Sequence, residues 1–600
     1  MASITRTAAR DDAHVDAHAG DIRGALGTIP ADDSAPRAGL SAKLKTLLAI
    51  VGPGLIVMCG DNDAGAFSTY GQAGQNYGTR LLWTLLLLIP VLYVNQEMVL
   101  RLGAVTGVGH ARLLIERFGK SWAALMVIYL LILNALTLVT EFIGITMAAG
   151  YLGVPKLIAV LLAAGVILAA AATGSFRRFE RIAVALCAGS LLLIPLFLVS
   201  HPSGAAMARG FAEPGLPGGS GQMATVMLLI IGIVGTTVAP WQLFFQQSYV
   251  IDKRITPRFM KYEKTDLWIG IVIVVVGAAA LMGTTAVAFA HSGAPFTDSA
   301  GLARGIAAYA GHVAGALFAV ALLDAAVIGA FAVSLSSAYA IGDVLGMKHS
   351  LHRGVGQAKG FYALYAALIC VAAAVVLLPG SPLGLITEGV QVLAGVLLPA
   401  ATVFLLMLCN DRAVLGPWVN TAKTNAFTGA VIAVLITLSV VLTASVMFPG
   451  ITASAIFAIM AGCAAAALVI GSFALVHARR SARTDALAEA AVLTEVAELA
   501  EDAGTADAVG DADLAGADLD AGAVLTAAPR AAAGVSADGA APDGALAPVD
   551  KLSWRMPPLS ELPTPVIRGA RRIGLLGLRG YLAVAMIMVI VKIIETALGH

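Results

Sequence analysis

Twelve stretches of this chain are apolar for long enough to cross roughly 30 Å of hydrocarbon, and that repetition leaves few folds open. In lipid every backbone N–H and C=O must find a partner inside the protein, so runs of this length are read as helices. They lie near residues 46–77, 80–104, 121–150, 156–174, 180–200, 222–250, 265–291, 312–346, 361–378, 384–410, 426–447 and 452–476, called spans one to twelve below. The fold class is an all-α polytopic membrane protein. Composition agrees, with 58% hydrophobic and only 12% charged residues and a mean hydropathy of +0.86. A net charge of +1 gives no electrostatic footprint for a nucleic acid, so none is expected as a partner; the lipid bilayer is. The five cysteines stand singly in apolar stretches without a CxxC pair, which suggests buried small hydrophobes and neither a disulfide framework nor a zinc site.

Lysine and arginine mark the orientation. They crowd the connections after spans two, four, six, eight and ten (Arg112, Arg117, Lys120, Arg177, Arg178, Lys253, Arg254, Arg258, Lys261, Lys264, Lys348, Arg353, Arg412), whereas the opposite connections hold little beyond Arg80, Lys156, Arg209 and Arg304. By the positive-inside rule the N-terminus is cytoplasmic in a multi-pass protein of the cell membrane. Residues 1–43 are polar, with no apolar core of signal-peptide length, and are expected to be a disordered cytoplasmic N-terminus. The membrane domain occupies 44–476. Residues 477–574 are expected to be a disordered linker, because 483–550 hold 14 acidic residues against Arg483 and Arg530 and no aromatic; a Pro- and Arg-rich part follows. Residues 575–600 form a last apolar helix, spanning or interfacial. The charged connection from Asp252 to Asp266 is read as a solvated loop.

The costliest feature sits inside span one, where Gly60-Asp-Asn-Asp-Ala-Gly-Ala-Phe67 places two carboxylates and two glycines at membrane depth. Ionisable groups there usually line a water- or ion-filled path. With Pro53 and Gly54, the glycines Gly60 and Gly65 let the helix unwind and turn carbonyls toward a ligand. Many transporters consist of two inverted repeats whose first helices are both interrupted at the substrate. Counting five spans per repeat, span six should echo span one, and it does: Gly232-Ile-Val-Gly235-Thr-Thr-Val-Ala-Pro240-Trp-Gln carries glycines, Thr236, Thr237 and a proline at its middle. Pro240 removes a donor and frees carbonyls near Thr236. Repeat one is then about 46–200 and repeat two about 222–410, with helices eleven and twelve at about 426–476.

Gly52-Pro-Gly54, Asp63-Ala-Gly-Ala66, Gln72-Ala-Gly-Gln-Asn-Tyr-Gly78 with Leu81-Leu-Trp83, Thr237-Val-Ala-Pro-Trp-Gln-Leu243 and Asp411-Arg412 together resemble the NRAMP family of divalent metal ion transporters, in order and spacing. The resemblance covers roughly residues 46–476. It implies the leucine-transporter-like five-plus-five fold, with discontinuous helices one and six, extra C-terminal helices, and a transported divalent metal as substrate without a cofactor. Asp63 falls on the family's metal-binding aspartate. Its signatures, Asp-Pro-Gly-Asn and Ala-x-x-Met-Pro-His, are matched only in part: Ala66 replaces the asparagine ligand, Ala239 the methionine and Trp241 the histidine of the proton route. The chain adds Asp61 and Asn62. A thioether favours soft metals, whereas oxygen ligands and water suit Mn²⁺ and Mg²⁺. The pattern is similar to the family's magnesium-transporting branch.

The expected metal site is therefore Asp63 and Asp61, with backbone carbonyls around Ala64 and Thr236 and the side chain of Gln391, which matches a family glutamine. Gly60, Asn62, Gly65, Ala66, Thr237, Ala239, Pro240, Trp241 and Gln242 supply the helix breaks and surroundings. Glu141 matches the family's proton-path glutamate, but the aspartate of that element is Leu138 here, so the relay is reduced and proton coupling doubtful. Asp324 on span eight has no counterpart and is assigned to a second hydrophilic route. Gln242, Gln246 and Gln247 either line an inner exit or are merely wetted. The reading is a secondary transporter of divalent cations, Mn²⁺ and Mg²⁺ first and Fe²⁺ third, working by alternating access. A same-fold symporter of a small organic solute such as an amino acid is the alternative. A channel or an enzyme is disfavoured, since neither a TVGYG-type filter nor a nucleophile with its base is present. Oligomeric state stays open, a monomer being sufficient.

Overall fold

The computed structural model describes residues 20–217, 223–290, 295–379, 383–448, 451–473 without 453, 551–563 without 553, and 574–584, with 476 and 587. The acidic segment 483–550 and residues 588–600 lie outside them. Ten helices among the described residues are long and apolar enough to cross a membrane. Of the twelve expected spans, two fall outside that count: span one, which is cut into pieces, and span four, whose helix Lys156–Ala171 has 16 residues. Leu86, Leu87, Leu161, Leu162, Leu198, Val272, Leu468 and Val469 point outward. Such a belt is stable against lipid, not water.

Span one is three helices, Leu40–Ile50, Pro53–Cys59 and Ala64–Tyr77. Its first two pieces meet at 54°. Pro53 explains that bend, because its ring disfavours helical backbone just before it and sits comfortably at the first helical position after it. The open backbone there is capped from both sides. Lys253 Nζ donates to Ile50 O at 2.6 Å and Val51 O at 2.9 Å, and Asp266 Oδ2 accepts from the N–H groups of Gly52, Gly54 and Leu55 at 3.1, 2.7 and 3.2 Å. Glu180 of span five completes the latch, 2.7 Å from Lys253. A solvated loop is thus the wrong description of 252–266: Lys253 is 1% exposed and Glu263 and Asp266 are 0% exposed. Charge content signals water, but Lys253 and Asp266 bind backbone atoms far away in sequence.

The N-terminus also departs from expectation. Ile22–Arg23 pairs antiparallel with Thr28–Ile29, and Ile22, Ala25 and Ile29 are buried. Disorder fails here because Ala25 N–H donates to Glu180 Oε2 at 2.6 Å and Arg181 Nε to Ala25 O at 3.0 Å, which fastens the hairpin to span five. Just beyond, Arg37 lies 2.7 Å from Asp33 and holds its carboxyl below the ordinary range. After span eight, burial alone would lower the His349 imidazole, but the Asp343 carboxylate 3.0 Å away outweighs it and holds the ring above its ordinary range.

Part of the expected linker is likewise ordered. Trp418 Nε1 donates to Lys551 O at 2.9 Å while the Lys551 ammonium lies 4.5 Å over the Trp418 ring; Arg117 Nη1 donates to Pro563 O at 2.6 Å. The helix Gly574–Val584 follows. Tyr581 OH donates to Val396 O at 2.9 Å. Leu582, fully buried, faces a small apolar cavity shared with Met126, Leu133, Pro240, Phe244 and Leu397. This tail therefore straps spans three, six and ten. Leu582→Arg should unseat it, since a charge cannot enter that pocket unpaired. Limited proteolysis is expected to cut the variant between 551 and 584 at least tenfold faster than wild type, a rate ratio equivalent to about 1.4 kcal/mol.

Span six is two helices, Met223–Thr237 and Pro240–Asp252, joined through Val238 and extended Ala239. Its upper half crosses span ten backbone to backbone, where a Cβ on Gly235 would strike Gln391 O and sit 2.5 Å from Gly395 N. Only glycine allows that approach.

Candidate metal site at the two helix breaks

The span-one break at residues 60–63 meets the start of the lower span-six helix, where Trp241 lies beside Gly60 and Gln242 reaches Asp61, and Asp61, Asn62 and Asp63 are at most 3% exposed. Asp63 is the N-cap of Ala64–Tyr77, its Oδ1 accepting from Ala66 N–H at 2.8 Å. The helix dipole favours a negative charge at that end. Asp61 accepts a hydrogen bond from Gln242 Nε2, and Gln96 Nε2 donates in turn to Gln242 Oε1 at 2.8 Å. Asp61 Oδ2 keeps no protein partner. Asn62 turns the other way, its Nδ2 reaching Val274 O at 3.4 Å on span seven.

Glu141 is brought to the break as expected, with Oε2 accepting from Ala64 N–H at 3.2 Å and Oε1 unpartnered. A Cβ on Gly329 of span eight would lie 2.8 Å from the Glu141 carboxyl carbon and 3.0 Å from Asp63 Cβ, so both carboxylates share one chamber. Gln391 also arrives: its amide fills the space a side chain on Gly65 would need, beside Asp63. Which end of that amide faces the break is an assignment, and turning it presents Oε1.

Thr236 lies just before the span-six break. Its carbonyl's i+4 partner is Pro240, which has no N–H, and its hydroxyl is buried without a partner. Thr237 is engaged elsewhere, 2.7 Å from Tyr70 OH.

Two expectations fail. Ala64 is expected to offer a carbonyl, but it begins a helix, so its C=O is directed into the first turn and its N–H serves Glu141. Asp324, assigned to a second hydrophilic route and not to the metal site, lies away from the break; it faces span five, where a Cβ on Gly189 would strike its carboxylate, while Gly329 five residues on faces Glu141. Five residues is nearly one and a half turns, which puts the two on different faces. Wetting of the span-six amides fails too, since Gln242, Gln246 and Gln247 are 0% exposed. Gln96 escapes the sequence reading, although Asn95-Gln96-Glu97 is a polar cluster inside an apolar run.

Trp241 packs its ring edge 3.4 Å from the point where a Cβ on Gly60 would sit, and Ser336 Oγ holds its carbonyl at 2.8 Å. Bulk thus fills the position beside the break. Among the described residues, no three His, Cys, Asp or Glu side chains form a ready cage for a bare ion. Backbone carbonyls, amides and water must complete any coordination shell here.

Above the break, Ala64, Ser68, Thr140, Gly144, Asp298 and Thr387 line a cavity of about 10 Å³, room for one water centre. A family model described as natural resistance-associated macrophage protein-like, Nramp, matches residues 54–445. This chain belongs to the Nramp family. Among its relatives, a Ralstonia nicotianae protein is 30% identical over 65% of this chain and 89% of its own length, and a Burkholderia ambifaria protein is 32% identical over 50% and 69%. A Pectobacterium carotovorum relative is 29% identical over 42% of this chain, which covers 61% of that protein. Each is named divalent metal cation transporter MntH. A solved manganese transporter from Eremococcus coleocola is 21% identical and superposes with a TM-score of 0.55, covering 74% of this chain and 97% of that one. The Nramp fold places spans one to five and six to ten in two inverted repeats, whose first helices carry the two breaks.

Proposed function

We propose that this chain carries partly hydrated divalent cations, Mn²⁺ and Mg²⁺ ahead of Fe²⁺, across the cell membrane by alternating access, with the basic connections and the N-terminus in the cytoplasm. The observation that carries the reading is the burial of Asp61 and Asp63 together in the span-one break, packed against the span-six break, whose Pro240 leaves a carbonyl without its usual donor. Two carboxylates in one apolar chamber repel each other unless a cation or proton intervenes. Asp63 and the Thr236 carbonyl bind the ion directly, Gln391 closes on it, and Asp61 acts directly or through water. Relatives named as divalent metal cation transporters support this assignment.

The donor set is all oxygen. Mg²⁺ sheds water reluctantly and is commonly held by one or two carboxylates with several waters kept, and the lack of a three-carboxylate cage among the described residues suits that habit. With Ala239 in place of a thioether, soft ions lose their advantage. An organic solute is the poorer fit, because its carboxylate would meet Asp61 and Asp63.

Competition in proteoliposomes tests the selectivity. Mg²⁺ and Mn²⁺ at equal concentration should suppress one another's uptake by comparable factors, with Cd²⁺ roughly tenfold weaker than either, a difference of about 1.4 kcal/mol. Strong inhibition by Cd²⁺ together with indifference to Mg²⁺ would overturn the hard-site reading. Lumenal pH should change little during uptake, since Leu138 and Trp241 occupy two relay positions.

A further inference from the structure

Below the break, toward the basic face, the contact between spans two and six contains polar atoms with nothing to bind. Gln246 is 0% exposed and neither its Oε1 nor its Nε2 has a partner. It lies one turn beyond Gln242 on the same helix face, the face that reaches Asp61 and Gln96. Gln96 Oε1 and Asp61 Oδ2 are also buried and unpartnered. Burying an amide without a hydrogen bond is costly, and buried polar atoms in folded proteins are nearly always paired. Four unsatisfied atoms along one short path call for a ligand that supplies hydrogen bonds.

We infer that Asp61, Gln96, Gln242 and Gln246 form a second cation station on the cytoplasmic side of the break, which takes a hydrated divalent cation through its water shell. The assignment rests on the transport reading above. Amide oxygens accept hydrogen bonds from the coordinated waters, and the Asp61 carboxylate supplies the charge that draws the ion downward. Neutral amides bind loosely enough to release it. Trp241 packs on Gly60, so an ion leaving the break passes on the Gln242 side. Asp61 then belongs to both stations, while Asp63 serves the upper one alone.

The test is Mn²⁺ titration of the full-length protein in lipid nanodiscs, by calorimetry and by electron–nuclear double resonance of the bound ion. Wild type should bind two Mn²⁺, the weaker one keeping most of its water protons. Gln246→Leu, an apolar change that suits a membrane helix, should remove only the weaker ion and leave the tighter Kd within threefold. Asp63→Ala should do the reverse. Gln246→Glu adds a charge and should tighten the weaker site roughly tenfold or more. One Mn²⁺ per wild-type chain, lost in Asp63→Ala, overturns the second station but upholds the upper site. Two Mn²⁺ undisturbed by Gln246→Leu also overturns it. No Mn²⁺ bound by wild type overturns the transport reading and this inference with it.

Discussion

Asp63→Asn should leave a folded protein that no longer moves Mn²⁺, with uptake into proteoliposomes reduced at least a hundredfold. Two duties of one side chain come apart in this variant. As N-cap, Asp63 accepts from Ala66 N–H, and asparagine caps a helix about as well as aspartate. As the proposed ligand, it brings a carboxylate to a chamber it shares with Glu141, and a neutral amide cannot replace that. Asp63→Ala loses both duties, so it should fall further in thermal stability, by the roughly 1 kcal/mol that a missing cap costs. Wild-type uptake by Asp63→Asn would reduce this residue to a structural cap and end the case for a metal site here.

Lys253→Met is expected to be among the most destabilising single changes in the molecule. It leaves Glu180 buried as an uncompensated charge and strips the donor from the carbonyls of Ile50 and Val51. Removing one partner of a buried pair costs about 3–5 kcal/mol. The comparison that isolates the cause is Lys253→Met combined with Glu180→Gln, in which no charge is stranded and the introduced amide oxygen can still accept from Ala25 N–H. Fluorescence-detected unfolding in detergent should show the double variant recovering at least half of the loss. A double variant no better than the single would mean that the lysine matters for its two backbone contacts alone. Because those contacts cap the bend in span one, either result bears on how the lowest helix, Leu40–Ile50, is held.

Much of this architecture is legible in the residues. The spans declare themselves by length, since an apolar run this long satisfies its own backbone in lipid only as a helix. The breaks are visible because Pro240 and the Asp61-Asn62-Asp63 run are each expensive in a membrane helix and stand at equivalent places in the two repeats. What escapes is everything fixed by long-range pairing. Lys253 and Asp266 look like loop charges until the open backbone of residues 50–55 is set beside them. Asp324 and Glu141 both look like path residues, and only the rotation of span eight tells them apart. The polar, Pro-rich stretch from Lys551 to Pro563 announces no docking segment, yet Trp418 and Arg117 hold it, as Val396 holds the apolar helix beyond.

The glycine crossing of spans six and ten sets how a gate here can operate. With Gly235 pressed on the backbone of Gln391 and Gly395, the upper half of span six cannot slide along span ten without separating from it. Thr236 and Gln391, two of the proposed ligands, would therefore have to move as a single jaw. In the proposed transport cycle, release of the ion would then be an all-or-none withdrawal of that jaw from Asp63, and any residue larger than glycine at position 235 would hold it ajar.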